Sequence, residues 1–476
     1  MTTAGNYVLL ERVTVGAAGA SSVTFNNIPQ TGYTDLKIVL SARSTANGGQ
    51  NVNLNFNGIT SGYSDKILGG TGSAASSFPS GNTTKGGSCV IPGADFTLNT
   101  FGNGEIYIPN AFGNTAKSYS SDSVSENNAT LSYAQMQATL WSYTGNPAIT
   151  SILITLSSGN FAQYSTFSLY ALAAVGTTPT KAPKASGGDI VQYDGTYWYH
   201  AFINSGSFIP QIPLSCDVLV VAGGGSGGAG TGGGGGAGGL RLLASQGFAP
   251  NTAYTCTTGA GAASVTGSAH GNNGTNSSLI GGSISISATG GGGGAAENTN
   301  NAQTGGSGGG GSYNGYNGAA GNAGSYSPVE GYAGGVASAT YNGSGGGGAG
   351  GTGFASTTSG STGVGGVGGV GAGGTSYTNY AILDAMGAAT TTGVLSSSHY
   401  YYAGGGGGGG QYSTSPYTGQ GGAGGTGGGG TGGAYNPATA GTSALANTGG
   451  GGGGGGTNSN TSGAGGSGVV IVRYLA

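Results

Sequence analysis

The sequence predicts a mainly β protein. An N-terminal β-sandwich or jelly roll is followed by a small β unit that clamps a glycine-rich array of packed polyglycine II-type helices. Three observations carry this expectation. Short apolar/polar alternations, punctuated by turn residues, fill residues 1–175. Of the 114 glycines, 21 lie in residues 1–185 and the other 93 (114 − 21) follow them. Two β-branched apolar runs, 216–222 and 468–474, flank the glycine region.

The first domain, residues 1–175, is justified strand by strand. In residues 51–58 Val52, Leu54 and Phe56 alternate with asparagines, and period-2 alternation places the apolar set on one face of a strand. Leu36, Ile38, Leu40 and Ala42 follow the same pattern, as do Ala134, Met136, Ala138 and Leu140, and Ile152, Ile154 and Leu156. Residues 23–25, 105–108 and 166–172 add further strands, and Asn26-Asn27, Asn47-Gly48-Gly49 and Ser158-Gly159-Asn160 supply turns. About eight short strands at this spacing predict two packed sheets. Trp141 and Trp198 fall in strand patterns and are expected in cores.

Residues 176–187 read as a linker, with two prolines and two lysines around 179–184. The second domain, 188–476, opens with a small meander at 189–193, 197–202 and 207–209. Its β base comprises 188–222 and 468–476. Residues 218–222 run straight into Gly223, and 469–473 run straight out of Gly468. These two strands are expected to pair and to hold both ends of the glycine array.

Glycine runs at 223–225, 232–236, 290–294, 308–311, 345–348, 404–410, 427–430 and 449–456 need a physical account. Glycine loses more conformational entropy on folding than any other residue, so a tether is the default. Collagen needs strict Gly-X-Y and much proline; only 363–371 keeps period three. Silk-like stacks need side chains that interdigitate. The ordered alternative is a threefold extended helix without internal hydrogen bonds. Its amides and carbonyls point outward, and bare backbones can lie side by side. About 1 kcal/mol per lateral bond would work against roughly 1–2 kcal/mol of backbone ordering per residue, so close packing and the β clamp must add to it. Insertions of Tyr, Asn, Ser and Thr divide the runs at 295–304, 312–342, 375–402, 411–418 and 434–448. They read as loops gathered at the ends of parallel rods.

Composition argues against several chemistries. Charged residues are 5% of the chain and the net charge is −3, no footprint for nucleic acid or for an anionic membrane. No apolar stretch reaches the length of a membrane span, and the first residues lack a signal-like apolar core. Cys89, Cys216 and Cys256 have no metal-like spacing and are expected to be buried free thiols. No cofactor or metal is implied. Gly223-x-Gly225-x-x-Gly228 matches a dinucleotide fingerprint formally, but the glycines after it cannot start the required helix. Gly-x-Ser-x-Gly matches at 224–228 and 305–309 are what chance gives in this composition, and the three histidines stand in unrelated contexts. Glu297, Glu330 and Asp384 are too sparse to suggest a glycosidase pair. The chain is therefore expected to be non-enzymatic.

Tyrosine is the abundant reactive surface. Tyr313, Tyr316, Tyr326, Tyr332, Tyr341, Tyr377, Tyr380, Tyr400, Tyr401, Tyr412, Tyr417 and Tyr435 fall in the insertions. Tyr beside Asn, Ser and Gly is the chemistry of adaptable binding loops, so these are the candidate receptor-binding residues. The competing reading is that part of the set covers the flanks of the array. Tyr402, against the run 404–410, is expected to be a packing plug.

The entry strand 218–222 with Gly223-Gly224-Gly225, Tyr402-Ala403 before 404–410, Asn447-Thr448 before 449–456, and the closing 465–474 together resemble the glycine-rich domains of bacteriophage tail-fibre and receptor-binding proteins. The likeness covers about residues 187–476. Residues 7–12, 25–31, 35–43 and 126–130 are similar to β-sandwich domains of phage fibre-type structural proteins. The resemblance implies a virion protein, made in the host cytoplasm, that binds a host surface glycan or outer-membrane protein through loops on polyglycine helices. It also implies contact with other virion proteins and a homotrimer. A structural head-fibre, decoration or appendage role is the alternative, and a glycan-degrading fibre a third.

Overall fold

The computed structural model describes residues 7–16, 18–71, 74–127, 131–174, 182–297, 302–313, 316–337, 342–359, 362–375, 377–411, 419–457 and 461–476. The chain divides into two compact units. One holds Met1–Lys184, Asp189–Trp198 and Ala476, and the other holds Ala185–Gly188 and Tyr199–Leu475.

The first strands in chain order are β1 (Tyr7–Thr14), β2 (Ser22–Phe25), β3 (Tyr33–Ala42), β4 (Gln50–Phe56), β5 (Tyr63–Thr71) and β6 (Ala74–Thr83). They are followed by β7 (Gly86–Ile91), β8 (Gly102–Ile108), β9 (Lys117–Asn127), β10 (Leu131–Trp141), β11 (Ile152–Leu156) and β12 (Thr166–Ala173). Next come β13 (Ala185–Ser186), which belongs to the second unit, and β14 (Ile190–Tyr193), which belongs to the first. The first unit sets the strand series β14-β1-β12-β3-β8-β9-β10-β5-β6 against a four-stranded sheet, β2-β11-β4-β7. Leu36, Ile38 and Leu40 of β3, Val52, Leu54 and Phe56 of β4, and Ile152 and Ile154 of β11 share one core, as their alternation predicts. Trp141 closes it, with its ring 5.3 Å from that of Phe56.

β10 keeps the predicted alternation but turns its apolar set outward. Ala134, Met136, Ala138 and Leu140 face outward, and Gln135, Gln137, Thr139 and Trp141 face inward. The reason lies across the sandwich. β7 is an edge strand, and unpaired edge groups inside a protein must find partners. Side chains of the opposite sheet supply them. Thr139 and Tyr119 donate to the Gly87 carbonyl at 3.0 and 3.2 Å. Asp65 accepts the Gly87 amide at 3.2 Å, and Ser123 accepts that of Val90 at 3.2 Å. A polar inner face caps the edge, so the alternation holds along β10 while its apolar set lies on the outer face.

Next comes β15 (Tyr197–Phe202), whose first two residues belong to the first unit and the rest to the second, and the second unit continues with β16 (Gly206–Pro210), β17 (Leu214–Val221), β18 (Leu240–Phe248), β19 (Tyr254–Thr257), β20 (Ser277–Gly281) and β21 (Ile284–Ala288). After these come β22 (Thr357–Ser359), β23 (Thr362–Val364), β24 (Ala372–Gly373), helix α1 (Tyr380–Thr390), β25 (Val394–Ser396), β26 (His399–Tyr402) and β27 (Val469–Leu475). The expected clamp is present. β17 and β27 pair antiparallel from Cys216↔Tyr474 to Val221↔Val469. The expected meander differs in its third strand: β16 leaves it and joins β13-β16-β19-β20-β21. All three cysteines are free and buried.

Between these strands the glycine segments form a lattice. Gly223, Ser226 and Ala229 donate their amides to Thr275, Asn272 and Ala269. Gly224 and Gly227 donate to Gly466 and Gly463, and Gly225 and Gly228 to Gly236 and Gly233. Each step of one residue thus changes neighbour, and each step of three returns to the same one, which is a threefold extended helix. Three further segments donate back: Gly291 and Gly294 to 223 and 226, Gly452 and Gly455 to 225 and 228, and Ala262 to 224. The rod 223–229 therefore has six hydrogen-bonded neighbours. The rod 404–410 repeats the pattern, with Gly404, Gly407 and Gly410 on 427, 430 and 433, Gly405 and Gly408 on 369 and 366, and Gly406 and Gly409 on 235 and 232.

The lattice explains the glycine in packing terms. Positive φ is confined to rod ends and turns such as Gly230 and Gly449, so the interior glycines are not there for left-handed backbone. What they need is the absence of a side chain. A Cβ on Gly224 would land on the Gly450 carbonyl, and one on Gly235 on that of Gly225. Residues 221–240 are buried throughout. The few side chains admitted are small and placed: Ser226 Oγ accepts the Asn272 amide at 2.9 Å, and Ser344 Oγ donates to Gly311 O at 3.0 Å. The rods also continue the sheets. β17 becomes rod 222–229, rod 232–239 becomes β18, and rod 461–468 becomes β27. Strand register therefore fixes rod register.

Candidate binding surface at the ends of the rods

The rod register sorts the insertions into two sets. Gly343 donates to Gly409, Gly409 to Gly232, and Gly232 to Gly455, at 3.0, 2.9 and 3.2 Å. These bonds align the ends of four rods with the turn at Gly230, at the end of the lattice opposite β17, β18 and β27. We call this end the tip. The other set returns toward the strands and lies at the base.

At the tip, polar side chains hold the roots of the insertions. Thr231 and Thr457 hydroxyls are 2.9 Å apart. The Gln411 amide donates to Asn342 Oδ1 at 2.9 Å, and its side chain to Glu297 Oε1 at 3.3 Å. The sequence reading weighed Glu297 only as a possible glycosidase carboxylate and did not single out the other four. Their signal is positional, since each stands at the end of a rod, beside glycine or alanine. Tyr313 and Tyr316, half-buried, follow the rod ending at Ser312. Tyr435, also half-buried, sits in the turn between two further rods, its amide bonded to Gly419 O at 2.8 Å. Tyr341, Tyr412 and Tyr417 lie outside the described residues.

The remaining candidates stand at the base. Tyr326 is stacked under the Arg241 guanidinium at 4.0 Å, with its hydroxyl 2.9 Å from Ser287 Oγ. Tyr332 is 39% exposed. Burial pushes the Tyr377 phenol up to about 12, helped by neighbouring Tyr332. Tyr380 opens an element that the loop reading did not anticipate, and Tyr400 and Tyr401 stand on the strand β26 that packs beside it. Residues 375–402 contain α1, whose Leu383, Met386, Gly387 and Thr390 are buried on one face; that spacing of three, one and three is a helical signature. Asp384 on α1 accepts from His399 Nδ1 at 2.8 Å and from the Tyr400 amide at 2.7 Å. Tyr380 meets the His399 ring edge-on at 5.4 Å. Tyr402 is fully buried, with its hydroxyl 2.9 Å from Thr392 Oγ1 of the same insertion. The twelve candidates thus do not form one site. Six occupy the base, three the tip, and three are not described.

Among the described residues no group of His, Cys, Asp and Glu is placed to hold a metal ion, and no helix is long and apolar enough to cross a membrane. A family described as a glycine-rich domain matches residues 203–475. No curated protein matches the chain, and no solved structure does.

Proposed function

We infer a binding function for this chain, which belongs to the glycine-rich domain family across residues 203–475. The reading is that of a non-enzymatic virion fibre or spike protein that attaches a bacteriophage to its host through loops on a backbone-only scaffold. One observation carries it. A dense lattice of largely bare backbone ends in a tip where Thr231, Glu297, Asn342, Gln411 and Thr457 fix the roots of aromatic-polar insertions. Loops positioned by a rigid scaffold are where binding residues concentrate. Tyr313, Tyr316 and Tyr435 would contact a surface glycan or an outer-membrane protein, and several copies would raise weak contacts to useful avidity. The sandwich of the first unit would join other virion proteins or further copies of the chain.

The test is adsorption of the full chain to envelopes of the bacterium that supports the particle. Saturable binding is expected, weakened at least tenfold when Tyr313, Tyr316 and Tyr435 are replaced together by Ala. Absence of adsorption would leave a purely architectural head-fibre or appendage role. Adsorption untouched by the triple substitution would move the contact surface away from the tip.

A further inference from the structure

The inverted strand β10 leaves a consequence on the outside of the first unit. Because the inner face there is polar, the apolar set points to solvent. Across the sheet, Val39, Glu105, Asp122, Met136, Leu68 and Ser77 stand in one register row over β3, β8, β9, β10, β5 and β6. Val39, Leu68, Val124 and Met136 are 40, 62, 48 and 60% exposed. They line a groove of about 870 Å³ that this row crosses. Isolated exposed apolar residues need no explanation, but a contiguous patch marks an interaction surface.

We propose that this face is where two copies of the chain associate. Two features select a second copy. The first is charge. The adjacent register row carries Lys37 and Lys66, and the apolar row carries Glu105 and Asp122. Lys37 is paired with Glu105 at 2.6 Å. Lys66 and Asp122 are both exposed and have no ion-pair partner among the described residues. A patch that is neutral in sum and carries one unpaired charge of each sign is self-complementary, so a two-fold arrangement pairs Lys66 of each copy with Asp122 of the other. The second is size. Six strands at about 4.8 Å spacing and a strand length of roughly 30 Å give a footprint on the order of 750 Å², close to the roughly 800 Å² per partner of a stable interface. The isologous character of the face favours pairs over the threefold ring that the fibre resemblance implies. The association does not depend on what the tip binds.

Sedimentation velocity of the full chain across a concentration series tests this. The wild type is expected to show a concentration-dependent species of twice the chain mass. Met136→Glu, at an outward position that does not enter the core, is expected to weaken it at least tenfold while the circular dichroism melt stays unchanged. Lys66→Asp should weaken it as well, and adding Asp122→Lys to that variant should restore it. A wild type that stays monomeric throughout, a self-association untouched by Met136→Glu, or one that the charge exchange fails to restore would each overturn the proposal. Capture of a different virion protein on this face without self-association would overturn it too.

Discussion

Val221 stands directly opposite Val469 in the antiparallel pair of β17 and β27. The chain therefore enters and leaves the glycine lattice one strand spacing apart. One residue beyond this pair the backbone changes from sheet to threefold rod on both strands, so the clamp sets the register of the rods it feeds. Ile471, fully buried opposite Leu219, probes this link. Ile471→Ala is expected to cost about 2–5 kcal/mol in chemical denaturation, and amide protection in 223–229 and 461–468 should fall together with that of β17.

The lattice makes a sharp distinction between glycines. A Cβ on Gly235 would meet the Gly225 carbonyl, with backbone on both sides and nothing flexible to move. A Cβ on Gly247, in exposed β18, meets nothing within 4 Å. Gly235→Ala is expected to destabilise the second unit by more than about 3 kcal/mol through overpacking and lost lateral bonds. Gly247→Ala should stay within about 0.5 kcal/mol of wild type. Paired thermal melts of the two variants read the difference.

His200 gives the second unit an acid-sensitive point. The ring is fully buried, with Nδ1 2.7 Å from the Gly187 carbonyl and Nε2 3.0 Å from the Tyr474 hydroxyl. A carbonyl only accepts, so Nδ1 carries the proton and Nε2 accepts from Tyr474. Burial lowers its pKa from 6.5 to about 4. The folded protein keeps the ring neutral where the unfolded chain would protonate it. Stability is therefore full above pH 6.5, falls as pH drops toward 4, and levels off below that. The loss is on the order of 3 kcal/mol. His200→Phe should remove this slope from denaturation measured between pH 7 and pH 4, whatever it does to stability at neutral pH.

Asp384 ties α1 to β26 through His399 and the Tyr400 amide. Asp384→Ala leaves both donors without this acceptor and is expected to cost about 1–3 kcal/mol. The loss should be local. Hydrogen exchange is expected to rise in 380–402 while the rods 223–239 keep their protection.

Much of this architecture is legible in the residues, and what is not has identifiable causes. The pairing of 218–221 with 469–472 follows from two β-branched runs bounding one glycine region. The threefold rods follow from excluding structures that need side chains or proline. The facing of β10 does not follow, because Thr139, with Tyr119, Asp65 and Ser123 of the same sheet, serves the open edge of β7, a neighbour distant in sequence. The serine-rich β9 carries few apolar residues and is recognised through full-length pairing with β10. Helix α1 was legible in the spacing of Leu383, Met386, Gly387 and Thr390, yet the tyrosines around it suggested a loop. The division of the tyrosines between tip and base depends on rod direction, which only the hydrogen-bond register supplies.

The ordered lattice is the claim on which the rest depends, and hydrogen–deuterium exchange of the full chain at neutral pH tests it most directly. Every amide in 223–229 and 404–410 has a backbone acceptor in a neighbouring rod, so both segments are expected to exchange orders of magnitude more slowly than an unstructured glycine chain, and as a unit with β17 and β27. Exchange in these segments at the rate of a free glycine linker, with the strands still protected, would contradict it.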